Sequence, residues 1–340
     1  MSSSRATLIQ VAERAGVSLA STSRALHGTG ASPAMVERVR AAAAELGYSP
    51  DATGRSLRMK RTFQVAFAVA DIGNPVYVEM LTAIHEVLAP HGYRVVVMST
   101  GQTVASTVDL VRSLGSGFVD GLVVSPLRTD DTLVEAIRQA PVPVVVIGRP
   151  LDGIDSVSTD SAAGIGLAVA HLLEIGRRRL GFVNGPLDTT PGAARQRGFD
   201  AATADPAFAG EHAETERADD FTVTAGLEAG RRLLARGGLD AVVAANDLLA
   251  IGVIRAAGEL GLTVPGDLAV TGMDDTEIGK VFRPGLTSVS LGSAERGRLA
   301  ALLVLDRVGD GAEPVQQAAV GPHLVVREST AVASKEKSAR

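Results

Sequence analysis

The sequence of 340 residues contains no cysteine and no tryptophan, and only 3% of its residues are aromatic. Without cysteine the chain has no disulfide, no thiolate metal site and no cysteine nucleophile, which is typical of proteins from a reducing cytoplasm. The scarcity of aromatic residues means that the cores are built mainly from Ala, Val, Leu and Ile. A hydrophobic fraction of 46% and a charged fraction of 21% exclude a largely disordered chain.

Long apolar segments and enzyme signatures are missing as well. The chain has no run of about 18 apolar residues and no apolar signal-peptide core, so we expect a cytoplasmic protein with no membrane partner. It has no Gly-x-Ser-x-Gly elbow, P-loop or His-Glu-x-x-His motif, and its six histidines are scattered along the chain. We therefore expect no catalysis, no metal and no cofactor.

The net charge of −5 is distributed unevenly along the chain. Residues 1–62 carry nine Lys/Arg against four Asp/Glu, a net charge of +5, which leaves −10 on the remaining residues. A small basic segment joined to a large acidic one is typical of a nucleic-acid-binding module attached to another domain. The length itself predicts two or three compact units.

Caps and hydrophobic spacing predict three short helices in the first fifty residues. Thr7 and Gln10 have the spacing of a capping box, Gly16 supplies a tight turn, and Ser18 caps a second helix. Ser32-Pro33 begins a third helix, since proline fits the first helical position. This order is the plan of a helix-turn-helix, whose second helix enters the major groove of DNA. A three-helix protein-interaction bundle has the same spacing and remains the alternative.

From Phe63 onward, apolar runs alternate with amphipathic helical patterns. Continuous Val/Ile-rich runs separated by helices predict parallel sheets buried on both faces, and the length of this pattern predicts two doubly wound lobes. We expect strands at residues 65–69, 94–98, 121–124, 142–147, 180–183, 241–244 and 268–271. We expect helices at residues 77–89, 161–174, 222–236 and 248–260.

Polar residues recur where these predicted strands end. Ligands of doubly wound sheets lie beyond the carboxyl ends of the strands, so the recurrence predicts a lined cleft. Each residue taken alone has a second explanation as an ordinary helix cap or turn residue. The residues in question are 71–74, 125–128, 148–149, 160, 184–186, 246–247 and 274–275.

The exact residues of the head closely resemble the lactose-repressor (LacI/GalR) family. The resemblance covers the stretch from Thr7 to His27, Ser32-Pro33, Leu46-Gly-Tyr-Ser-Pro50 and Arg55-Ser-Leu-Arg58. It continues into the body at Asp71-Ile-Gly-Asn-Pro-Val-Tyr77 and Gly272-Met-Asp-Asp275, although Met273 replaces a usual aromatic. The resemblance implies an all-α helix-turn-helix head joined to an α/β body of two doubly wound parallel-sheet lobes, like that of periplasmic binding proteins.

The resemblance also implies which head residues contact DNA. The two residues after the capping serine choose bases in this family, and residues 51–58 match a hinge helix whose leucine wedges into the minor groove. The implied DNA-binding residues are Thr7, Ser18, Leu19, Ala20, Ser21, Ser23, Arg24, His27, Arg55 and Leu57. Gly54 stands where the family usually has alanine, and glycine costs roughly 0.5–1 kcal/mol inside a helix. We therefore expect a hinge that folds less readily and binds its operator more weakly.

In the body the resemblance implies an effector site between the lobes. Arg195 matches the effector-binding arginine of the family, and Phe221 matches the aromatic residue that packs on the ligand. The implied effector-binding residues are Asn74, Tyr77, Ser125, Arg149, Asp160, Arg195, Phe221, Asn246 and Asp274. Planar polar groups pair with vicinal hydroxyls and an aromatic face covers a sugar ring, so the chemistry suits a sugar. A nucleobase or nucleoside is the alternative ligand.

The expected organisation follows from the same resemblance. Residues 1–50 form the DNA-binding domain, 51–62 the hinge, and 63–330 the effector-binding and dimerisation domain. One lobe comprises about residues 63–160 and 292–320, the other about 161–291 and 321–330, and the tail 331–340, which lacks a leucine heptad, is disordered.

The expected function is that of a homodimeric repressor on a pseudo-palindromic operator in double-stranded DNA. A corepressor-dependent repressor or an activator remains an alternative within the same fold, because the sequence does not fix the sign of the effector response. An exported solute-binding protein shares the two-lobed body, but it should carry a signal peptide and no basic helix-turn-helix.

Overall fold

The computed structural model describes residues 6–27, 30–48, 61–209, 211–309 and 314–331. The chain divides into two compact units, Met1–Thr62 and Phe63–Arg340. Within the described ranges, no helix is both long enough and apolar enough to cross a membrane.

The first unit contains the three predicted helices, α1 (Leu8–Ala15), α2 (Leu19–His27) and α3 (Pro33–Glu45). The predicted capping box is present, since the Thr7 amide donates to Gln10 Oε1 at 2.8 Å and the Gln10 amide donates to Thr7 Oγ1 at 3.4 Å. Gly16 has a left-handed φ of +65°, which glycine adopts without steric cost. The helices enclose a small core around Val11, Ala25 and Val39.

The second unit begins with a six-stranded sheet in the order β11-β5-β4-β3-β1-β2, with every neighbouring pair parallel. Its strands are β1 (Gln64–Val69), β2 (Arg94–Ser99), β3 (Gly121–Ser125), β4 (Val144–Ile147), β5 (Asp155–Thr159) and β11 (Gln317–Val320). The helices around it are α4 (Pro75–Leu88), α5 (Val104–Ser113), α6 (Asp131–Arg138) and α12 (Ser293–Val308).

The central strand β1 shows why both faces of this sheet are apolar. Val65, Phe67 and Val69 point to one face and pack in the cluster that holds α4 and α12. Ala66 and Ala68 point to the other face and pack in the cluster that holds α5 and α6. Because successive side chains alternate between the two faces of a sheet, a strand covered by helices on both sides needs a continuous apolar run.

A second six-stranded sheet has the order β12-β10-β9-β8-β6-β7. Its strands are β6 (Arg179–Asn184), β7 (His212–Arg217), β8 (Ala241–Ala244), β9 (Ala269–Met273), β10 (Thr287–Ser290) and β12 (His323–Val325). The helices around it are α7 (Ser161–Glu174), α8 (Thr190–Thr203), α9 (Val223–Leu234), α10 (Asp247–Glu259) and α11 (Glu277–Val281). Every strand and helix predicted for the body overlaps an observed one.

One strand departs from the parallel pattern, because β12 runs antiparallel to β10. The chain leaves β11 at its carboxyl end and reaches β12 after only residues 321 and 322. The carboxyl ends of the parallel strands of the two sheets face each other. The chain therefore enters the second sheet from its carboxyl edge and runs against its neighbour.

Candidate functional site

A cavity of about 190 Å³ lies between the carboxyl ends of the two sheets. It is lined from the first lobe by the loops that follow β1, β3 and β4, and from the second lobe by α8 and the loops that follow β7, β8 and β9. The structure brings all the predicted effector residues except Asp160 to this cavity. That these residues bind an effector stays a prediction.

The first-lobe wall is held by the start of α4. The Val76 amide donates to Asn74 Oδ1 at 3.2 Å, so Asn74 caps the helix while it lines the cavity. One turn later the Tyr77 ring packs edge-on against Phe67, with 6.4 Å between ring centroids. Burial raises the pKa of the Tyr77 hydroxyl, and a hydrogen bond with Ser125 opposes that shift. The hydroxyl is therefore protonated at neutral pH.

The second-lobe wall centres on Arg195, which is buried on α8. Its Nη2 lies 3.5 Å from Asp274 Oδ1, and its guanidinium carbon lies 5.7 Å from the centre of the Phe221 ring. Its Nε is buried without a hydrogen-bond partner in the described part of the chain. Phe221 fits here because residue 185 is glycine, where a Cβ would lie 2.5 Å from the ring.

Asp274 is a buried carboxylate in a strained loop. Its φ of +106° is unfavourable for a residue with a side chain, and its amide donates to Val289 O at 2.8 Å. Burial raises the pKa of Asp274, and the charges of Arg195 and Arg296 oppose that rise. The hydrogen bond of its amide to β10 helps to hold this strained conformation, in which Asp274 lines the cavity.

Asp247 lies behind this loop and positions it. Its Oδ2 accepts the Thr276 amide and the Thr276 hydroxyl, each at 2.7 Å, and its Oδ1 accepts the Ser288 hydroxyl at 2.6 Å. Burial, together with the neighbouring charge of Asp274, raises the pKa of Asp247 to about 7. Its two oxygens join α10, the loop after β9 and β10.

Two more predicted effector residues act as helix caps, as Asn74 does, which is the alternative that the sequence left open. Asn246 caps α10 by accepting the Leu249 amide at 2.9 Å, and its Nδ2 donates to Phe221 O at 3.2 Å, although it also lines the cavity. Asp160 accepts the Ala163 amide at 2.9 Å and caps α7. The structure therefore contradicts the prediction for Asp160, which is exposed and does not line the cavity.

The cavity also contains polar residues that the sequence analysis missed, chiefly Arg296, Thr159 and Gln102. Arg296 lies in the first turns of α12, just after β10, and is 7% exposed. The sequence of β10, Thr-Ser-Val-Ser, is short and polar. It contains no apolar run, so the hydrophobic pattern did not predict a strand here. Had β10 been predicted as a strand, the residues after its carboxyl end, Arg296 among them, would have been candidates for the site.

Contacts between the lobes close one edge of the cavity. The Arg128 guanidinium donates to both carboxylate oxygens of Asp188, at 2.8 and 3.2 Å, and to Gln102 O at 2.6 Å. The Thr190 amide donates to Leu127 O at 2.9 Å. The hydrogen bond with Arg128 also lowers the pKa of Asp188, so the pair is ionised at neutral pH.

The head presents α2 with most of its predicted contact residues at the surface. Ser18 Oγ accepts the Ser21 amide at 3.2 Å and caps the helix. Leu19 is 48% exposed, and Ala20 and Arg24 are exposed beside it. Thr7 is also exposed, whereas Ser21 and Ser23 are partly buried.

Three predicted DNA contacts fall outside this description. Arg55 and Leu57 lie outside the described residues, as does the side chain of His27. Their roles in the minor groove and at the end of α2 stay predictions.

Comparison with known proteins matches each unit separately. Residues 7–51 match the description "Bacterial regulatory proteins, lacI family", and residues 169–330 match a "Periplasmic binding protein-like domain". The HTH-type transcriptional regulator CelR of Thermobifida fusca is 35% identical over 338 residues, which cover 96% of this chain and 98% of that protein.

Solved structures are similar over almost the whole chain. A transcriptional regulator CelR–cellobiose complex has a TM-score of 0.70 and 32% identity, covering 96% of this chain and 100% of that one. A Lac repressor dimer bound to operator and the anti-inducer ONPF has a TM-score of 0.85 and 26% identity, covering 97% and 100%. The full-length identity to CelR and the match over the head show that this chain belongs to the lacI family of bacterial transcriptional regulators.

Proposed function

We propose that this protein is a cytoplasmic, non-catalytic, homodimeric repressor whose operator affinity is controlled by a sugar-like effector in the cavity between the lobes. The observation that carries the proposal is the combination of an exposed α2 in a basic head with a cavity lined by buried polar groups from both lobes. In similar proteins, one solved structure holds operator DNA and an anti-inducer, and another holds cellobiose.

The exposed face of α2 supports sequence-specific DNA binding. Arg24 has the planar fork that pairs with guanine in the major groove. Leu19 and Ala20 are apolar and are suited to van der Waals contact with thymine methyl groups. In a two-fold dimer, two such helices would read two half-sites one helical turn apart, which is why we propose a pseudo-palindromic operator.

The cavity supports control by a ligand because its walls belong to different lobes. A ligand that contacts Tyr77 and Ser125 on one side and Arg195 and Asp274 on the other favours the closed arrangement of the lobes. The lobe that contains β1 follows directly after the head in sequence, so a change in its orientation would alter the placement of the two heads. By linkage, an effector that weakens operator binding must itself bind more weakly to the operator complex.

The test is fluorescence anisotropy of the purified chain with the DNA upstream of its own gene, at about 50 and 200 mM salt and with a panel of sugars. We expect salt-sensitive, sequence-specific binding that one sugar shifts, and the direction of the shift distinguishes an inducer from a corepressor. Loss of Arg24 in the variant R24Q should weaken specific binding by about 1–3 kcal/mol.

The matched control is R112Q, which removes an exposed guanidinium from α5 in the body and should bind as the wild type does. If the operator does not lie upstream of the protein's own gene, it should be found by selecting bound fragments from the whole genome. If that selection recovers no DNA fragment above random sequence, with or without any sugar, the repressor proposal fails.

A further inference from the structure

The interior of the cavity carries more positive than negative charge. Arg195 and Arg296 are each 7% exposed, and Asp274, 6% exposed, is the buried carboxylate of the lining that faces both of them. The remaining charged lining residues lie nearer the solvent, where water and salt screen them. Of these, Asp71 and Arg149 are exposed and Asp220 is partly buried. Burial lowers the pKa of Arg296, and Asp274 is the carboxylate whose charge opposes that shift, whereas Asp220 does not contribute to it.

Asp274 is a closer counterion for Arg195 than it is for Arg296. The Arg195–Asp274 pair is an ion contact of 3.5 Å, whereas no carboxylate of the described residues lies within 4.0 Å of the Arg296 guanidinium. The Nη2 of Arg296 donates to Ser293 Oγ at 3.4 Å, and its Nε is buried without a partner in the same part of the chain. A buried guanidinium that lacks a counterion is strongly unfavourable.

Asp247 does not supply the missing negative charge. Its carboxyl lies behind Asp274 rather than in the lining, and its oxygens are already engaged by Thr276 and Ser288. Because burial raises its pKa to about 7, it is largely protonated below that pH. The buried lining therefore has an excess of one positive charge.

The other lining groups indicate what else the ligand carries. The Thr159 hydroxyl is buried without a partner among the described residues, and the Tyr77 hydroxyl lies in the same cavity. These groups and Asp274 match the hydroxyls of a polyol, while Phe221 offers an apolar face. A volume of about 190 Å³ is smaller than the sites of drug-sized ligands, which favours a single sugar ring over an oligosaccharide.

We infer that the effector is a monoanionic monosaccharide, such as a uronate or an aldonate, whose carboxylate is the counterion of Arg296. This inference rests on the proposed function, since it assumes that the cavity is the effector site. A planar carboxylate matches the guanidinium fork in two parallel hydrogen bonds. A phosphate carries about −1.5 to −2 charges at neutral pH, which exceeds the single uncompensated charge of the lining.

The experiment compares acid sugars with their neutral parents on the full-length chain, by isothermal titration calorimetry and thermal shift. The probes are glucuronate, galacturonate, gluconate, glucose, galactose and glucose 6-phosphate. We expect one carboxylate sugar to bind at least about tenfold more tightly than its neutral parent, with an affinity that falls as salt is raised. In R296Q this preference should disappear.

The thermal stability of R296Q and the ligand preference of R298Q provide two further tests of the role of Arg296. R296Q should unfold at a higher temperature than the wild type without ligand, because an uncompensated buried charge has been removed. The matched control is R298Q on the same helix, which removes an exposed guanidinium paired with Glu295 at 2.7 Å. The wild-type preference for the acid sugar should persist in R298Q.

Several outcomes would overturn the inference. One is that a neutral sugar binds as tightly as the corresponding acid sugar, and another is that R296Q binds the acid sugar as tightly as the wild type does. The others are that glucose 6-phosphate binds more tightly than every carboxylate sugar, or that none of the acid sugars binds. The proposed function is judged separately, because operator binding and its shift by any sugar, neutral ones included, are measured on DNA.

Discussion

Replacing Asp247 by asparagine is expected to stabilise the fold at neutral and alkaline pH and to destabilise it near pH 4, where the wild-type carboxyl keeps its proton in the folded state. The folded protein raises the pKa of this carboxyl from 3.8 to about 7, so the folded state retains a proton that the unfolded chain releases between those values. The contribution of Asp247 to stability is therefore complete below pH 3.8 and is lost as the pH rises to about 7.

The magnitude follows from the size of the shift. One pKa unit corresponds to about 1.4 kcal/mol, so the wild type loses about 4 kcal/mol across this window. The amide of D247N keeps one oxygen for the Thr276 amide and hydroxyl and donates with its nitrogen to Ser288 Oγ. Because it has one acceptor fewer than a carboxylate, we expect a net gain of about 2 kcal/mol at pH 8.

The assay is urea unfolding of wild type and D247N at pH 5, 6.5 and 8. The change in unfolding free energy on substitution should rise from a small loss at pH 5 to a gain at pH 8. The control is D267N in the same lobe, where hydrogen bonds from Thr263 lower the pKa of an exposed carboxyl. D267N should give no gain at any pH. A gain for D247N that does not depend on pH, or a loss at pH 8, would show that the pKa of Asp247 is not raised in the folded protein.

Three further variants test other parts of the structure. G185A places a methyl group 2.5 Å from the Phe221 ring, so we expect a loss of about 1–3 kcal/mol in urea unfolding, and an unchanged midpoint would contradict this packing. D188N removes the partner of Arg128 across the cavity edge, and since Asp188 is 66% exposed we expect effector affinity to fall by at most about fivefold in calorimetry. G54A should raise operator affinity in anisotropy by about two- to fivefold per subunit, and an unchanged affinity would show that hinge folding does not limit binding.

The sequence predicted the elements whose residues all satisfy one pattern. The strand 241–244 is apolar throughout because helices cover both of its faces, and it was predicted with its observed bounds. β7, with the sequence His-Ala-Glu-Thr-Glu-Arg, was not predicted, because an edge strand needs only one covered face and here carries ion pairs with Arg232 and Arg236.

Site residues could be predicted from the sequence where they directly follow a strand with an apolar run. Asn246 and Asp274 follow β8 and β9, and both line the cavity. Arg296 was not predicted as a site residue because it lies on a helix after the polar strand β10. Periodicity alone does not distinguish a buried arginine from a surface one. Asp160 also follows a strand, β5, but it caps α7 from an exposed position outside the cavity, and the sequence pattern alone does not distinguish such a cap from one that lines the cavity.

Coupling between the effector and the operator can be measured in both directions. The operator affinity is determined by anisotropy with and without saturating effector, and the effector affinity is determined by calorimetry with and without saturating operator. If the effector controls operator binding, both experiments should give the same factor, typically about 5- to 150-fold. An effector that binds in the cavity and leaves operator affinity unchanged would contradict the claim that this protein is a ligand-controlled repressor.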